Sequence, residues 1–297
     1  MTSDLHLAGL ATGLSPGLAP AKVNLTLHVT GQRPDGYHLL DSLVVFADVG
    51  DQISATLAQG LTLAVTGPFA KGVPLDDSNL ILRAAKALRG ARGVTKGATL
   101  RLNKMLPHAA GIGSGSSDAA TTLRLLAGLW GVAPLDPDDP LVQGLGADVP
   151  VCLHAPHPAR MAGIGGHLSG VPQLPAAALV LVNPRVAVPT AAVFKTLLHR
   201  DNPPMGPMPQ AWDFDGFARW LNHQRNDLQP GAEAIAPEIT QALAKLRQLP
   251  GVAAAIMSGS GATCVGLVRD MGAARAAARA MQVAQMSWWV VPAALLH

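Results

Sequence analysis

Residues 107–130 read PHAAGIGSGSSDAATTLRLLAGLW, a glycine-rich loop followed by an apolar repeat. Glycines occupy three alternate positions of the loop, Gly111, Gly113 and Gly115. Because glycine carries no Cβ atom, the backbone N–H groups of such a loop can approach an anion closely. The loop therefore predicts an anion-binding turn. The alternative is an ordinary turn between a strand and a helix, capped by serine side chains.

The residues after the loop have the periodicity of an amphipathic helix. Apolar side chains recur at i, i+3, i+4 and i+7, namely Leu123, Leu126, Ala127 and Trp130. Ser116 and Ser117 stand at the predicted helix start, as caps or as hydroxyl ligands. Since the N–H groups and the dipole of a helix N-terminus both favour negative charge, the segment predicts a phosphate site. A Walker-type loop is excluded because no lysine follows the glycines, and the dinucleotide fingerprint because its third glycine would stand one position later.

The composition excludes several other classes of protein. Charged residues make up 14% of the 297 residues, against roughly 25% in average soluble domains. A hydrophobic fraction of 49% argues against disorder. A net charge of +3 without a basic block argues against nucleic-acid binding. Without a long apolar run or a basic secretory leader, the chain is predicted to be cytoplasmic, with no membrane partner. The two cysteines, Cys152 and Cys264, are expected to be small buried apolar residues.

Strands and helices alternate irregularly along the chain, which favours an α+β fold in two layers. We expect two domains, at residues 1–160 and 161–297, with residues 1–19 as a loose extension. The predicted strands lie at residues 22–29, 43–46, 53–57, 61–65, 99–102, 178–182, 253–257, 263–268 and 288–291. The predicted helices lie at 79–88 (closed by Gly90), after the glycine loop, from Thr190, and near 214–224, 237–246 and 272–283.

Further local patterns complete the prediction of structure. Asp76, Asp77 and Ser78 are N-cap candidates for the helix at 79–88. Residues 31–36 form a turn, 202–210 a loop rich in Pro and Met, and GADVPVCLHA at 146–155 leads into a strand-like stretch.

Two charged residues are candidates for chemistry. Lys22 is one of only seven lysines and opens an apolar strand, where it could steady phosphoryl oxygens or hold a carboxylate. Its alternative is an ordinary edge-strand lysine. Asp148, between Gly-Ala and Val-Pro, could accept the proton of an attacking hydroxyl, as kinase aspartates do. Its alternative is a helix or turn cap.

Two polar turns allow two interpretations each. Tyr37, the only tyrosine, precedes His38, and the two rings could bind a flat heterocycle. The alternative is a core tyrosine beside a turn. Residues 258–261, Ser-Gly-Ser-Gly, join two apolar strands either as a plain hairpin or as a second anion-binding turn.

Taken together, these motifs resemble the GHMP small-molecule kinases, most closely those of isoprenoid precursor synthesis that act on a cytidine diphosphate substrate. The resemblance runs through nearly the whole chain. The matching segments are APAKVNLTLHVTGQRPDGYHLLDSLVVFADVGD at 19–51, DDSNLILRAAKAL at 76–88, KMLPHAAGIGSGSSDAATTL at 104–123, GADVPVCL at 146–153, NDLQP at 226–230 and MSGSGATCVGL at 257–267. It implies an ATP-binding α+β domain with a left-handed βαβ crossover, followed by a ferredoxin-like substrate domain.

The resemblance also implies roles for individual residues. Asp148 matches the catalytic base, Lys22 the lysine that pairs with it, and Asn24 a residue near the reactive hydroxyl. The residues that match the ATP phosphate cradle are Pro107, Ala110, Gly111, Ile112, Gly113, Ser114, Gly115, Ser116 and Ser117. Those that match the adenosine side are Asn79, Leu80 and Lys104. Those that match the cytidine site are Tyr37, His38, Thr190 and Phe194, with Phe194 closing one face of the cytosine.

The implied activity is ATP-dependent phosphorylation of a small alcohol, with Mg²⁺, no protein metal ligands and a monomer or weak homodimer as the assembly. The alternatives are a mevalonate- or homoserine-type kinase of the same fold, and an inactive binding protein of the same family. This chain departs from the usual GLGGGSSDAA by carrying Ile112 and Ser114 in the loop, and Ser114 requires a backbone φ compatible with a side chain.

Overall fold

The strand β3 (His38–Ala58) runs through both structural units of the chain. In the computed structural model, which describes residues 14–297, the first unit comprises Gly50–His108 and Gly113–Pro156 with the described residues up to Ala21. The second comprises Lys22–Val49, Ala109–Ile112 and His157–His297. Both units are therefore assembled from separate segments, whereas the sequence suggested a linear division after residue 160, which stays a prediction.

The bounds of the elements follow. The strands are β1 (Leu18–Asn24), β2 (His28–Gln32), β3, β4 (Leu61–Thr66), β5 (Gly97–Asn103), β6 (Ala159–Gly163), β7 (His167–Ser169), β8 (Ala178–Asn183), β9 (Ala254–Met257), β10 (Cys264–Val268) and β11 (Trp289–Ala294). The helices are α1 (Leu80–Ala91), α2 (Ser114–Trp130), α3 (Pro140–Leu145), α4 (Val149–Leu153), α5 (Thr190–Lys195), α6 (Phe214–Asn222), α7 (Gln229–Ile235), α8 (Glu238–Gln248) and α9 (Met271–Ala284).

In the first unit, a parallel strand pair flanks a crossover helix. β4 pairs in parallel with β5, α1 connects them, and β5 continues antiparallel onto residues 52–58 of β3. This is the βαβ crossover that the resemblance implies, and its left-handed sense stays a prediction. α1 packs on α2, which runs from the glycine loop. Leu123, Leu126 and Ala127 of the predicted apolar face are buried, whereas Trp130 is half-exposed.

In the second unit, an antiparallel sheet has the strand order β11-β8-β10-β9. Along the chain, helices separate β8 from β9, a tight turn joins β9 to β10, and α9 leads to β11. A βαββαβ chain with its strands in the order 4-1-3-2 is the ferredoxin-like arrangement. α8 and α9 cover the sheet, and apolar side chains such as Val180, Leu243 and Met281 form the core between them.

Several predicted boundaries were wrong, for identifiable reasons. The strands expected at 43–46 and 53–57 are one strand, since Gly50 marks no break: a Cβ there would lie 2.1 Å from the carbonyl oxygen of Ala19. The cap of α1 is Asn79, whose side chain accepts from the N–H of Ile81 at 2.9 Å, whereas Asp76 accepts from Ser78. The helix also passes through Gly90 and ends at Ala91.

Other predicted boundaries differ from the structure where burial on both faces removes the alternation of buried and exposed residues. The strand expected at 22–29 is split between β1 and β2, and residues 22–29 are buried on both faces instead of alternating. The segment 146–155 contains the helix α4 before β6 begins. β6 is the strand into which this segment was expected to lead, whereas the short elements α3, β7 and α7 were missed. β1 begins at Leu18, inside the predicted extension, and residues 1–13 of that extension lie outside the described part of the chain. Among the helices from residue 14 onward, none combines the length and apolar character needed to cross a membrane.

Candidate active site

In the first unit, the site begins at the N-terminus of α2. Gly113 is the N-cap residue with a left-handed φ of 58°, and no side chain caps the helix start. The expected serine cap was therefore wrong: Ser117 is fully buried and its hydroxyl donates to the carbonyl of Pro20 at 2.7 Å. Ser114 is the first helical residue, so its backbone conformation suits a side chain. A glycine-started helix without side-chain caps or acidic residues in its first turn has the character of an anion site.

In the second unit, the preceding loop residues Ala109–Ile112 are fixed by the turn at 258–261. That turn is the hairpin between β9 and β10, as one of the two interpretations predicted. Gly111 has φ 71°, and a Cβ at Gly111 would lie 2.3 Å from the carbonyl oxygen of Ser258. The hydroxyl of Ser258 donates to the carbonyl of Gly111 at 2.8 Å. The hairpin therefore holds the loop by direct backbone approach, which only glycine allows at this position.

Lys104, predicted on the adenosine side, lies at the centre of a buried ionic cluster in the first unit. Its ammonium donates to Asp51 Oδ2 at 2.6 Å, to Asp118 Oδ2 at 2.5 Å and to the hydroxyl of Ser114. These three bonds account for all three ammonium hydrogens. The side chain is therefore committed to the protein interior, and a contact between its ammonium and a nucleotide would require one of these bonds to break.

Asp51 and Asp118 complete this cluster and were missed as site residues. Asp51 Oδ1 accepts from the backbone N–H groups of Met105 and Leu106, at 2.6 and 2.9 Å, and its Oδ2 also accepts from Ser114 at 2.9 Å. Burial raises the pKa of the Asp118 carboxyl to about 7; the nearby Lys104 opposes this rise and the charge of Asp51 adds to it. Within the described residues, Asp118 Oδ1 is buried without a hydrogen-bond partner. The cluster ties the start of α2 to the end of β5.

Lys22 begins a different chain of polar contacts, inside the second unit. Only 3% of its surface is exposed, so the solvated edge-strand interpretation was wrong. Its ammonium donates to Asn24 Oδ1 at 2.8 Å, and its backbone N–H donates to the carbonyl of Ile112 at 3.0 Å. The backbone N–H of Asn24 donates to the hydroxyl of Ser258 at 3.0 Å. The strand that carries Lys22 and the glycine loop are therefore joined through two hydrogen-bonded routes.

The predicted cytidine residues lie in the second unit. The rings of His38 and Phe194 are stacked, with centroids 4.6 Å apart and an angle of 23° between planes. Tyr37 is 60% exposed, so the core-tyrosine interpretation was wrong. Thr190 lies one turn before Phe194 and its hydroxyl is 2.8 Å from that of Ser260. Burial, followed by the charge of Arg200, lowers the pKa of His38, and this favours a neutral imidazole.

The remaining predicted residues belong to the first unit. Asp148 occupies the N-cap position of α4, but its side chain makes no capping hydrogen bond, which removes the support for the cap interpretation. Asn79 and Leu80 form the start of α1, and Pro107 is buried beside the loop. The pairing of Asp148 with Lys22 joins residues of different units and stays a prediction. Both cysteines are buried, as expected, and neither forms a disulfide.

Comparison with known proteins adds the decisive observation. The family models for the N-terminal and C-terminal domains of GHMP kinases match residues 79–155 and 210–286. A 4-diphosphocytidyl-2-C-methyl-D-erythritol kinase of Cereibacter sphaeroides (strain ATCC 17029 / ATH 2.4.9) is 55% identical over 95% of this chain and 100% of its own. The chain belongs to the 4-diphosphocytidyl-2-C-methyl-D-erythritol kinases, within the GHMP kinase family.

Solved structures agree with this membership of the GHMP kinase family. A 4-(cytidine 5'-diphospho)-2C-methyl-D-erythritol kinase superposes with a TM-score of 0.77 at 33% identity, over 94% of this chain and 98% of that one. A homoserine kinase of Cytophaga hutchinsonii superposes with a TM-score of 0.64 at 16% identity, over 93% of each chain, and shows the shared fold. The predicted family, the two-domain α+β fold class and the kinase class are thereby confirmed.

Proposed function

We propose that this chain transfers the γ-phosphoryl group of ATP to the 2-hydroxyl of 4-diphosphocytidyl-2-C-methyl-D-erythritol, giving the 2-phosphate and ADP in isoprenoid precursor synthesis. The observation that carries the proposal is the 55% identity to a relative of that name over the relative's full length. Three observations at the expected site support it: Lys22 is buried and bound to Asn24, α2 begins at a glycine without a side-chain cap, and the ring of Tyr37 is exposed.

In this proposal Asp148 is the proton acceptor and Lys22 stabilises negative charge. Asp148 accepts or orients the proton of the attacking hydroxyl, as the aspartate of other phosphoryl-transfer enzymes does. Lys22, buried and held by Asn24, restrains the aspartate and stabilises the charge that develops on the transferring group. Few groups suffice because phosphoryl transfer depends mainly on positioning and electrostatics.

The described residues fit ATP with Mg²⁺ as the phosphoryl donor. The helix start at Ser114 offers backbone N–H groups without a competing side-chain cap, and Gly111 lies where a Cβ would clash. Within residues 14–297 there is no cluster of three acidic, histidine or cysteine ligands. In nucleotide sites Mg²⁺ binds mainly phosphate oxygens and water, and in this proposal it would neutralise phosphate charge.

His38, Phe194 and Tyr37 are proposed to recognise the cytosine. In this structure the imidazole of His38 covers one face of Phe194, with ring centroids 4.6 Å apart. A base sandwiched between these two rings would need them to separate, since two stacking distances are required. The exposed ring of Tyr37 offers a second stacking surface. A neutral His38 can donate through one ring nitrogen and accept through the other, which suits the edge of a pyrimidine.

The proposal also includes a cytoplasmic location, no nucleic-acid or membrane partner, and a monomer or weak homodimer. Light scattering at several concentrations tests the assembly: a concentration-independent tetramer or larger ring would contradict it.

A coupled ADP-release assay tests the reaction. The purified chain is incubated with ATP and Mg²⁺ and either the cytidine diphosphate substrate, mevalonate or homoserine. We expect turnover with the cytidine substrate alone, because an acyclic alcohol has no group for the aromatic residues to bind. Turnover of mevalonate or homoserine would favour another GHMP kinase activity, and no turnover of the three would favour an inactive binding protein. The Asp148→Ala variant serves as the background control.

A further inference from the structure

A second chain of hydrogen bonds lies behind Lys22 and ends at Ser42, a residue with no role so far. Ser42 is fully buried in β3. Asn24 Nδ2 donates to Ser42 Oγ at 2.7 Å, and Ser42 Oγ donates to the backbone carbonyl of Thr26 at 2.5 Å. Together with the bond from Lys22 Nζ to Asn24 Oδ1 at 2.8 Å, these contacts link a backbone carbonyl to the ammonium through two side chains.

Counting hydrogens fixes the direction of every bond in this chain. A serine hydroxyl has one hydrogen to donate, and a backbone carbonyl can only accept. The hydrogen of Ser42 therefore points to Thr26, so Ser42 can only accept from Asn24. The amide nitrogen of Asn24 must then face Ser42, and its oxygen must face Lys22.

The flipped orientation of the Asn24 amide fails at both ends. Its nitrogen would face the ammonium of Lys22 at hydrogen-bond distance, where both groups can only donate. Its oxygen would face Ser42, whose hydrogen would have to leave the Thr26 carbonyl. Asparagine orientation is set by the hydrogen-bond network around it, and a buried network that is fully satisfied specifies a single arrangement.

We propose that Ser42 is a positioning residue for phosphoryl transfer: it orients the Asn24 amide so that an oxygen faces the Lys22 ammonium. This inference rests on the proposed function, since it assigns Lys22 and Asn24 to the reaction. Without the hydroxyl, only the Lys22 ammonium still opposes the flipped orientation, so the Asn24 amide is held at one end instead of two. Ser42 is fully buried and acts through Asn24, so we expect its effect on the rate and not on nucleotide binding.

The experiment compares Ser42→Ala with a matched control, Thr263→Val. Thr263 is also a fully buried hydroxyl of the second unit that accepts from an asparagine amide, Asn183 Nδ2, at 3.0 Å. Losing a hydrogen bond of ordinary strength at the reacting group corresponds to roughly a tenfold change in rate. We expect kcat with the cytidine substrate to fall about tenfold in Ser42→Ala, with the KM for ATP within about twofold. Thr263→Val should keep kcat.

Equal losses of kcat in both variants, or an unchanged kcat in Ser42→Ala, would overturn the proposal. A measurement that does not need turnover separates this failure from failure of the proposed function. In NMR spectra of the ¹⁵N-labelled chain, the Asn24 side-chain NH₂ should show contacts to Ser42 protons and slow exchange. In Ser42→Ala the exchange should become faster. If Ser42→Ala does not fold, the wild-type contacts decide alone: an NH₂ group facing Lys22 contradicts the proposal.

Discussion

Lys22 and Lys104 are both buried, with 3% of their surface exposed, yet their surroundings differ in chemistry. Lys104, in the first unit, donates its three ammonium hydrogens to the side chains of Asp51, Asp118 and Ser114. Lys22, in the second unit, donates to the neutral amide of Asn24, which Ser42 holds in place. Two carboxylates and a hydroxyl fix the Lys104 ammonium inside the fold, whereas Asn24, held by Ser42, directs an amide oxygen towards the Lys22 ammonium. We therefore expect a structural role for Lys104, and we keep the proposed role of Lys22 in the reaction.

The largest effect is expected from Lys104→Met. Removing the ammonium leaves the buried Asp51 carboxylate and the buried Asp118 carboxyl without their cation, and breaking a buried ion pair in this way costs about 3–5 kcal/mol. We therefore expect the free energy of unfolding in urea to fall by that amount. Lys86→Met is the control, since Lys86 pairs with Asp77 on the surface and should lose less than about 1 kcal/mol. A Lys104→Met variant as stable as the control would contradict a structural role for Lys104.

Asp148→Ala tests the reaction side of the comparison. Losing the proton acceptor should lower kcat at least ~10²-fold, the low end for acid–base contributions, while the affinity for ATP is kept. Steady-state kinetics and nucleotide titration measure the two quantities. The melting temperature is measured on the same samples, so that a loss of kcat is not confused with a loss of folded protein. Turnover at the wild-type rate would contradict the proposed role of Asp148 as the proton acceptor.

The third expected effect concerns pH. The pKa of Asp118 is raised from an ordinary 3.8 to about 7, chiefly by burial. Between pH 4 and 7 the native state therefore keeps a proton that the unfolded chain has lost. The resulting stability is fully present below pH 4 and is lost as the pH rises through 7.

Chemical unfolding at pH 5 and pH 7 measures this dependence. Asp118→Asn should flatten the fall in unfolding free energy between the two values, because asparagine does not titrate. Asp77→Asn, on the exposed ion pair with Lys86, should leave the slope as in the wild type. An unchanged slope in Asp118→Asn would show that this carboxyl is already ionised at pH 5.

The sequence alone was sufficient where a local pattern carries the structure. The glycine loop and the repeat after it predicted α2, and the paired apolar runs around residues 258–261 predicted the β9–β10 hairpin. Lys22 was found because a lysine in an apolar strand is unusual. Gly50 led to the wrong prediction of two separate strands. Its role is to let the Ala19 carbonyl lie close to the backbone of β3, and the local sequence does not show such a contact.

The ionic cluster of Lys104, Asp51 and Asp118 could not be predicted from local sequence patterns. Asp51 lies 53 residues before Lys104, and Asp118 lies 14 residues after it, so no motif unites them. Ser42 was missed for the same reason: its partners, Asn24 and Thr26, lie on a neighbouring segment 18 and 16 residues away. Such contacts are set by strand pairing and burial, which the pattern of residue types does not encode.

Lys22→Met gives the most direct test of the division between the two lysines. Methionine is close in volume and carries no charge, so the fold should be kept while the ammonium is lost. We predict a kcat at least ~10²-fold below the wild type with the cytidine substrate, and a loss of unfolding free energy of about 1–3 kcal/mol, smaller than that of Lys104→Met. A variant that turns over at the wild-type rate, or that loses as much stability as Lys104→Met, would contradict the account.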